Sequence, residues 1–310
     1  MSLCKCSTST SNTGYDCGDE ASYTVKSFLF NRKKADGTLS GIDLTSDLVD
    51  GVIPSSFITN KINDSNKEDR WYPIGDFESI DDVRAEHIME TFPSGNSSEI
   101  DEGMRKFNGK IPSLPASYLG RLKSFACNPD LAIIHVDRNG NAVGESIDGN
   151  FLRGMPIAKG SFIAMYTKKT YSESSSISVS FNYSKCFKDE NMFFIKSDIF
   201  ESDLIKEKGL FDVKMTGTAT TTAATINAKV IYGNSISESI FMKSLVANDF
   251  GGNIRNLTQS ADVTIDSVSV DNADTGDYIL NYTGVTSADA IKISASKEGF
   301  DIQDLTITTS

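Results

Sequence analysis

The stretch Asp274-Thr275-Gly276-Asp277-Tyr278-Ile279-Leu280-Asn281-Tyr282 indicates how the last third of the chain folds. Asp and Gly favour tight turns, and the alternation of polar and apolar residues that follows them is typical of a β-strand with one buried face. A second turn at Gly284 leads into the alternating run 290–295. Short alternating strands separated by turns predict an all-β module.

The same stretch has the D-x-G-x-Y form of a tyrosine corner, a turn in which a buried tyrosine hydroxyl bonds to backbone a few residues upstream. In this it resembles immunoglobulin-like β-sandwiches. The resemblance implies structural roles for Asp274, Gly276 and Tyr278. We therefore expect an immunoglobulin-like domain over residues 215–310, with Tyr278 buried in it.

Length and charge exclude several classes of protein. The chain has 310 residues, enough for two domains, and a net charge of −12 from 30 basic and 42 acidic residues. Such a surface repels phosphate backbones, so we expect no sequence-specific binding of nucleic acid. No apolar run is long enough to insert into a membrane, and no signal peptide is recognised at the start of the sequence. These features predict a protein made in a cytoplasm.

The first two thirds of the chain predict a β-rich body. Residues 1–20 are small and polar and read as a flexible N-terminal arm, followed by a β-rich assembly domain over 21–210. The lone Trp71 is expected to anchor an irregular region, 40–75, to the core. One substantial helix is expected from an apolar stripe at helical spacing, formed by Leu114, Tyr118, Leu122 and Phe125. The predicted fold class is therefore mainly β, a sandwich- or barrel-like body with one flanking helix plus the C-terminal sandwich.

Three hairpins are expected in the body. Asn139-Gly140 predicts a type I′ turn within the hairpin 131–145. The segment 161–184 forms a second, whose return strand buries one face and exposes the other. The expected buried side chains are Ile177, Val179, Phe181 and Tyr183, and the expected polar ones are Ser178, Ser180, Asn182 and Ser184. A strand pair over about 84–107 is favoured over a helix at 76–92, which a capping box would also allow.

Candidate catalytic residues are few. His87 and His135 are the two histidines, and neither accompanies a nucleophile or phosphate-binding motif. A histidine on an apolar strand such as that of His135 is usually a hydrogen-bonded structural residue. Acidic pairs such as Asp81-Asp82 fit a solvated surface better than glycoside hydrolysis. We therefore predict that the chain is not an enzyme and has no catalytic residues.

Metal and cofactor sites are not expected either. Cys4, Cys6 and Cys17 lack a fourth ligand nearby for a zinc site, so their role stays open. Residues 137–141 have some of the spacing of a calcium loop but not its distal glutamate, and they fit a hairpin better. An odd number of cysteines argues against a disulfide framework, and Cys127 and Cys186 are expected to be buried thiols.

The arrangement as a whole resembles tail-tube proteins of long-tailed bacteriophages. The segments that match that plan are the helix 114–125, the hairpins 131–145 and 161–184, and the appended domain 215–310. The resemblance implies a virion structural protein, assembled in the bacterial cytoplasm, that forms a closed homo-oligomeric ring through which DNA passes. Its partners would be further copies and other virion proteins. The alternatives are a capsid decoration or head-fibre protein and, less favoured, a carbohydrate-binding surface module.

Overall fold

The computed structural model describes residues 22–114, 116–231, 245–272 and 277–310, and it confirms the predicted fold class. The described chain is mainly β and has two helices, α1 (Ser55–Ile62) and α2 (Ala116–Ser124). It divides into two compact units. The first contains the described residues up to Pro112 together with Lys123–Glu207, and the second contains 113–122 and Lys208–Ser310. The predicted N-terminal arm, 1–20, lies outside the described residues.

The first unit is built mainly from strands. In chain order they are β1 (Thr24–Asn31), β2 (Gly41–Asp43), β3 (Tyr72–Gly75), β4 (Ser79–Arg84), β5 (Ile88–Thr91), β6 (Ser97–Asp101), β7 (Arg105–Pro112), β8 (Leu131–Asp137), β9 (Ala142–Glu145), β10 (Phe151–Arg153), β11 (Met155–Pro156), β12 (Ile163–Thr167), β13 (Ser176–Asn182) and β14 (Met192–Ile195). Three sheets result. The large sheet has the order β2-β10-β9-β8-β1-β3, and two further strands join it, because β11 pairs with β8 and β14 pairs with β9. The second sheet has the order β12-β13-β7-β4. The third consists of β5 and β6.

The core of the first unit is centred on β1 and β8, which pair antiparallel. Every residue of β8 is buried, as expected for a strand covered on both faces. Trp71 is buried and stacks on Phe30 with ring centroids 4.5 Å apart, so its predicted anchoring role is confirmed. The region 40–75 is less irregular than predicted, because α1 forms there and buries Ile58 and Ile62.

The predicted hairpins are present, with one correction. Strands β8 and β9 pair, β12 pairs with β13, and β5 with β6. The turn at Asn139-Gly140 is not of type I′, because only Gly140 has positive φ, at 83°. The Asp137 carboxylate orders the loop instead, accepting hydrogen bonds from the backbone N–H groups of Asn139 and Asn141 at 2.8 and 2.9 Å.

The second unit contains the immunoglobulin-like sandwich. Its strands are β15 (Phe211–Ala219), β16 (Ala223–Val230), β17 (Asn253–Asn256), β18 (Ala261–Asn272), β19 (Asp277–Tyr282), β20 (Ala290–Ile293), β21 (Phe300–Gln303) and β22 (Leu305–Thr308). One sheet has the order β21-β15-β16-β19-β18, in which β21 pairs parallel with β15, and the other has the order β17-β20-β22. The long β18 belongs to both, since it pairs with β17 at one end and with β19 at the other. Apart from β21, this order resembles that of a constant-type immunoglobulin domain.

Tyr278 is buried in this sandwich, as predicted. It lies in β19, the fifth strand, whereas a tyrosine corner sits near the start of the sixth. Its hydroxyl oxygen accepts a hydrogen bond from the backbone N–H of Leu245, 3.2 Å away and 33 residues upstream. Asp274 and Gly276 lie outside the described residues. Tyr278 therefore holds a distant segment to the core.

The boundary between the units falls at Glu207 and Lys208, slightly before the limits expected from the sequence. Segment 113–122, which includes most of α2, belongs to the second unit, whereas the sequence placed this helix with the body. An ion pair between Arg121 and Asp212 joins the helix to β15. The spacing of apolar residues predicts the helix but not the unit to which the helix belongs.

We expect residues 208–310 to fold without the rest of the chain, because their core of buried side chains is contained within them. Tyr278→Phe should lower the free energy of unfolding of this fragment by about 1 kcal/mol, since the Leu245 N–H loses its acceptor. Urea unfolding followed by circular dichroism measures the difference. A disordered spectrum for the unmodified fragment would contradict the assignment of an independent domain.

Candidate functional site

The four-stranded sheet β12-β13-β7-β4 is the most distinctive surface of the first unit. In β13 the side chains of Ile177, Val179 and Phe181 are buried, and those between them are half-buried on the opposite face. The predicted alternation along this strand is confirmed. The polar face continues across the sheet, where register places Ser180 beside Asn108 and Asn108 beside Asp81.

Both edges of this sheet are open within the described residues. Strand β12 pairs only with β13, and β4 pairs only with β7. All three pairings inside the sheet are antiparallel, so the two edge strands run in opposite directions. Unpaired strand edges favour pairing with another chain unless they are blocked. This sheet therefore has two free edges of opposite direction.

A hairpin extends from one end of this sheet, where it connects β4 to β7. Residues 85–104, called hairpin 85–104 below, contain β5 and β6, which pair only with each other among the described strands. Every side chain of β5 is exposed. The exposed large apolar side chains of the hairpin are Ile88, Met89, Phe92, Ile100 and Met104. A two-stranded ribbon is marginal in water, so this apolar surface indicates a contact with another molecule.

Ion pairs fix the base of hairpin 85–104. The Arg84 guanidinium makes two hydrogen bonds to the Asp189 carboxylate, at 2.7 and 2.8 Å, and a third to the Gly103 carbonyl at 2.9 Å. The two bonds from Arg84 to Asp189, with one from Arg105 at 2.9 Å, lower the pKa of Asp189 to about 2, so the carboxylate stays ionised. Gly103 leaves no room for a side chain, because a Cβ there would lie 1.9 Å from the Ala85 carbonyl oxygen. The hairpin thus leaves the sheet in a defined direction.

A chain of buried hydrogen bonds joins this sheet to the large one. Ser27 Oγ lies 2.6 Å from His135 Nδ1, and His135 Nε2 lies 2.8 Å from the Tyr183 hydroxyl. Tyr183 donates to the Asp82 carboxylate at 3.3 Å, and Arg105 bonds to both oxygens of that carboxylate at 2.8 and 3.1 Å. Residues from five different strands or their ends are connected, which sets the position of one sheet on the other.

His135 has the neighbours of a structural residue. Burial lowers the pKa of His135 to about 4, so the ring is neutral at pH 7. Both of its nitrogens are within hydrogen-bond distance of a partner, and Ser27 beside it is fully buried. A Ser–His contact that solvent does not reach offers no place for a substrate. His87 lies exposed in hairpin 85–104.

Other candidate groups are dispersed. Cys127 and Cys186 are exposed, so the prediction that they are buried thiols was wrong; both lie at or near chain turns rather than in core strands. In the described part of the chain no three His, Cys, Asp or Glu side chains are grouped to hold a metal ion. A cleft of about 30 Å³ lies beside Arg84, Arg105 and Lys188, far below the volume of a metabolite site. No helix among the described residues is both long and apolar enough to cross a bilayer.

Comparison with known proteins adds no assignment. A scan against protein-family models finds no match, and a search of the curated proteins finds no similar sequence. Function is therefore inferred from the geometry of the chain itself.

The sequence predicted β12 and β13 of this sheet as one hairpin, but not the two strands that follow them in the sheet. The strict alternation in β13 was visible, but nothing local indicated that β7 and β4 lie beside it. One sequence feature could have identified the hairpin: the region 83–104 combines apolar residues with acidic ones and contains no proline except Pro93. Such a strand pair has apolar side chains that no regular pattern assigns to a buried face, and it could have been recognised as an interaction element.

The first unit should lose stability as pH falls from about 6.5 to about 4. His135 has a folded pKa of about 4, below the value near 6.5 of an unfolded histidine, so the unfolded state binds the extra proton in this window. The loss should reach roughly 3 kcal/mol at the lower limit. Asp189, with a pKa of about 2, contributes only at lower pH.

His135→Gln should remove this pH dependence, and His87→Gln, at the exposed histidine, should leave it unchanged. Fluorescence of Trp71, the single tryptophan, reports urea unfolding of the first unit at each pH. An unchanged slope between pH 6.5 and 4 in His135→Gln would show that another group controls the acid sensitivity.

Proposed function

We propose that this chain is a structural subunit of a bacteriophage virion, a tail-tube or tail-ring protein that assembles into a closed ring through which DNA passes. One observation carries the proposal. The sheet β12-β13-β7-β4 buries one face, has polar residues along the two central strands of the other face, and is open at both edges among the described strands. In an isolated subunit both edges would stay unpaired. In a ring each edge pairs with a neighbouring copy, and the polar face lines the pore.

Strand direction supports closure by rotation. Because the sheet has four antiparallel strands, its edge strands β4 and β12 run in opposite directions. When copies are related by rotation, β4 of one copy meets β12 of the next in antiparallel orientation. Every junction then has the same geometry as the pairs inside the sheet. A closed barrel built in this way leaves no strand edge open.

The polar face has the chemistry of a passage rather than a binding site. Ser178, Ser180, Asn182 and Asn108 offer hydroxyl and amide groups without charge. Lys106 and Lys110 lie on the same face, and the Glu173 carboxylate lies 4.0 Å from the Lys110 ammonium. The chain as a whole is acidic, with a net charge of −12. A duplex would therefore pass without the many phosphate contacts that tight binding needs.

The remaining features agree with a structural rather than enzymatic role. The Ser27–His135 pair is buried, and the cleft beside Arg84 is too small for a metabolite. The immunoglobulin-like domain is an appended module of the kind that binding and assembly proteins carry. The proposed partners are further copies and other virion proteins, assembled in the host bacterial cytoplasm.

The purified full-length chain should form closed rings with a central pore, visible by negative-stain electron microscopy. Assembly buries the β4 and β12 edges, so the expected species is a single ring size rather than open filaments. Sedimentation velocity gives the mass of the same particles in solution. A protein that stays monomeric by both methods would contradict the ring and favour a capsid decoration or head-fibre protein instead.

A further inference from the structure

Both edge strands of the four-stranded sheet carry exposed apolar side chains on its polar face. Val83 on β4 is 55% exposed, and Ile163 and Met165 on β12 are 50% and 58% exposed. Residues directly opposite each other in antiparallel strands share a face. The register places Ile163 beside Ser180 of β13 and Val83 beside Lys106 of β7, on the polar face. Each edge therefore has apolar surface where another strand would pair.

The unpaired backbone groups of the two edges follow the same numbering. Ala85 donates its N–H to the Met104 carbonyl, so the odd-numbered residues of β4 bond to β7 and the even-numbered ones face outward. Tyr183 donates to the Arg105 carbonyl, so the even-numbered residues of β13 bond to odd-numbered residues of β12. The even-numbered residues of β12 then face outward as well. Pairing even with even continues both faces of the sheet across a junction, whereas a slip of one residue would reverse them.

Closure into a barrel requires a stagger at every junction between copies, because barrel strands tilt by about 35–45° to the axis. Without a stagger, continuation of the sheet would place Asp81 opposite Ile163 of the next copy. Each copy contributes four strands to the barrel. Across their width of about 19 Å, a stagger of two residues gives a tilt of about 19° and a stagger of four residues gives about 35°. This relation holds for any number of copies.

The direction of the stagger follows from the right-handed twist of β-strands. With the polar face inward, this twist displaces β4 of the next copy along β12 so that Val83 moves towards Met165. A four-residue stagger places Val83 opposite Met165 and pairs 81–84 with 164–167. A six-residue stagger would halve this overlap. The tilt and the strand lengths together select four residues.

We infer that neighbouring copies join through an apolar seam in which Val83 of one copy lies opposite Met165 of the next and diagonal to Ile163. The inference rests on the proposed ring and specifies the register of its junctions. In this register Asp81 lies opposite Thr167, so polar groups meet polar groups while the apolar side chains lose contact with water. The two-residue stagger would instead place the Asp81 carboxylate opposite Met165.

A cysteine scan measures the register. In the full-length chain with its five cysteines replaced by serine, Asp81→Cys is combined in turn with Ile163→Cys, Met165→Cys and Thr167→Cys. These positions lie opposite residue 81 for staggers of zero, two and four residues. Within one copy β4 and β12 are three strand spacings apart, roughly 14 Å, which is beyond the reach of a disulfide.

Oxidation of assembled rings should link chains several-fold faster with Thr167→Cys than with the other two partners. The reason is distance, since each alternative position lies at least about 7 Å further along the strand. Denaturing electrophoresis measures the yield over time. The chain with Asp81→Cys alone is the control and should form no ladder.

Val83→Ser tests the apolar seam without introduced cysteines. Loss of the valine side chain from every junction should weaken self-association by roughly tenfold, measured by sedimentation velocity. Val49→Ser is the matched control, because Val49 is 57% exposed in the same unit and lies outside the sheet. It should leave association unchanged.

Faster linking with Ile163→Cys or Met165→Cys would overturn the register and leave the proposed ring standing. Equal association of the unmodified chain and Val83→Ser would overturn the apolar seam, and so would rings in which none of the three pairs links. An unmodified chain that stays monomeric at every concentration would overturn the ring itself, and the seam with it.

Discussion

The first unit depends on the buried hydrogen-bond chain from Ser27 through His135, Tyr183 and Asp82 to Arg105. Two β-sheets that pack through apolar side chains alone would have several nearly equivalent orientations, because dispersion and hydrophobic contacts are weakly directional. Hydrogen bonds between specific atoms at 2.6–3.3 Å select one of them. A buried polar group left without a hydrogen-bond partner would cost free energy of folding, so these hydrogen-bonded residues stabilise the arrangement as a set.

Fixing the four-stranded sheet in this way also fixes its edges. A sheet that is held rigidly presents β4 and β12 as defined strands, and hairpin 85–104 leaves β4 in the direction that Arg84 and Gly103 set. Because the edges are already ordered, less conformational entropy is lost when two copies associate. The same open edges would promote aggregation of a free subunit.

Local patterns predicted much of this fold, and long-range partners limited the rest. Alternation identified β13, and Trp71 was correctly placed in the core. The D-x-G-x-Y pattern predicted a buried Tyr278 but not its partner Leu245, which is 33 residues away. Helix α1 was missed because it is short and its apolar positions are few. Cysteine burial was overestimated because composition does not reveal which residues lie in turns.

The most direct test of the assembly geometry is an intermolecular disulfide between β4 and β12. In a chain whose five cysteines are replaced by serine, Val83→Cys is combined with Ile163→Cys or Met165→Cys. Within one copy these positions are roughly 14 Å apart, beyond the ~7 Å Cα separation that a disulfide spans. Oxidation of assembled rings should give a ladder of linked chains that ends at one closed species on denaturing electrophoresis. Rings that yield only monomers with both pairs would contradict edge-to-edge assembly.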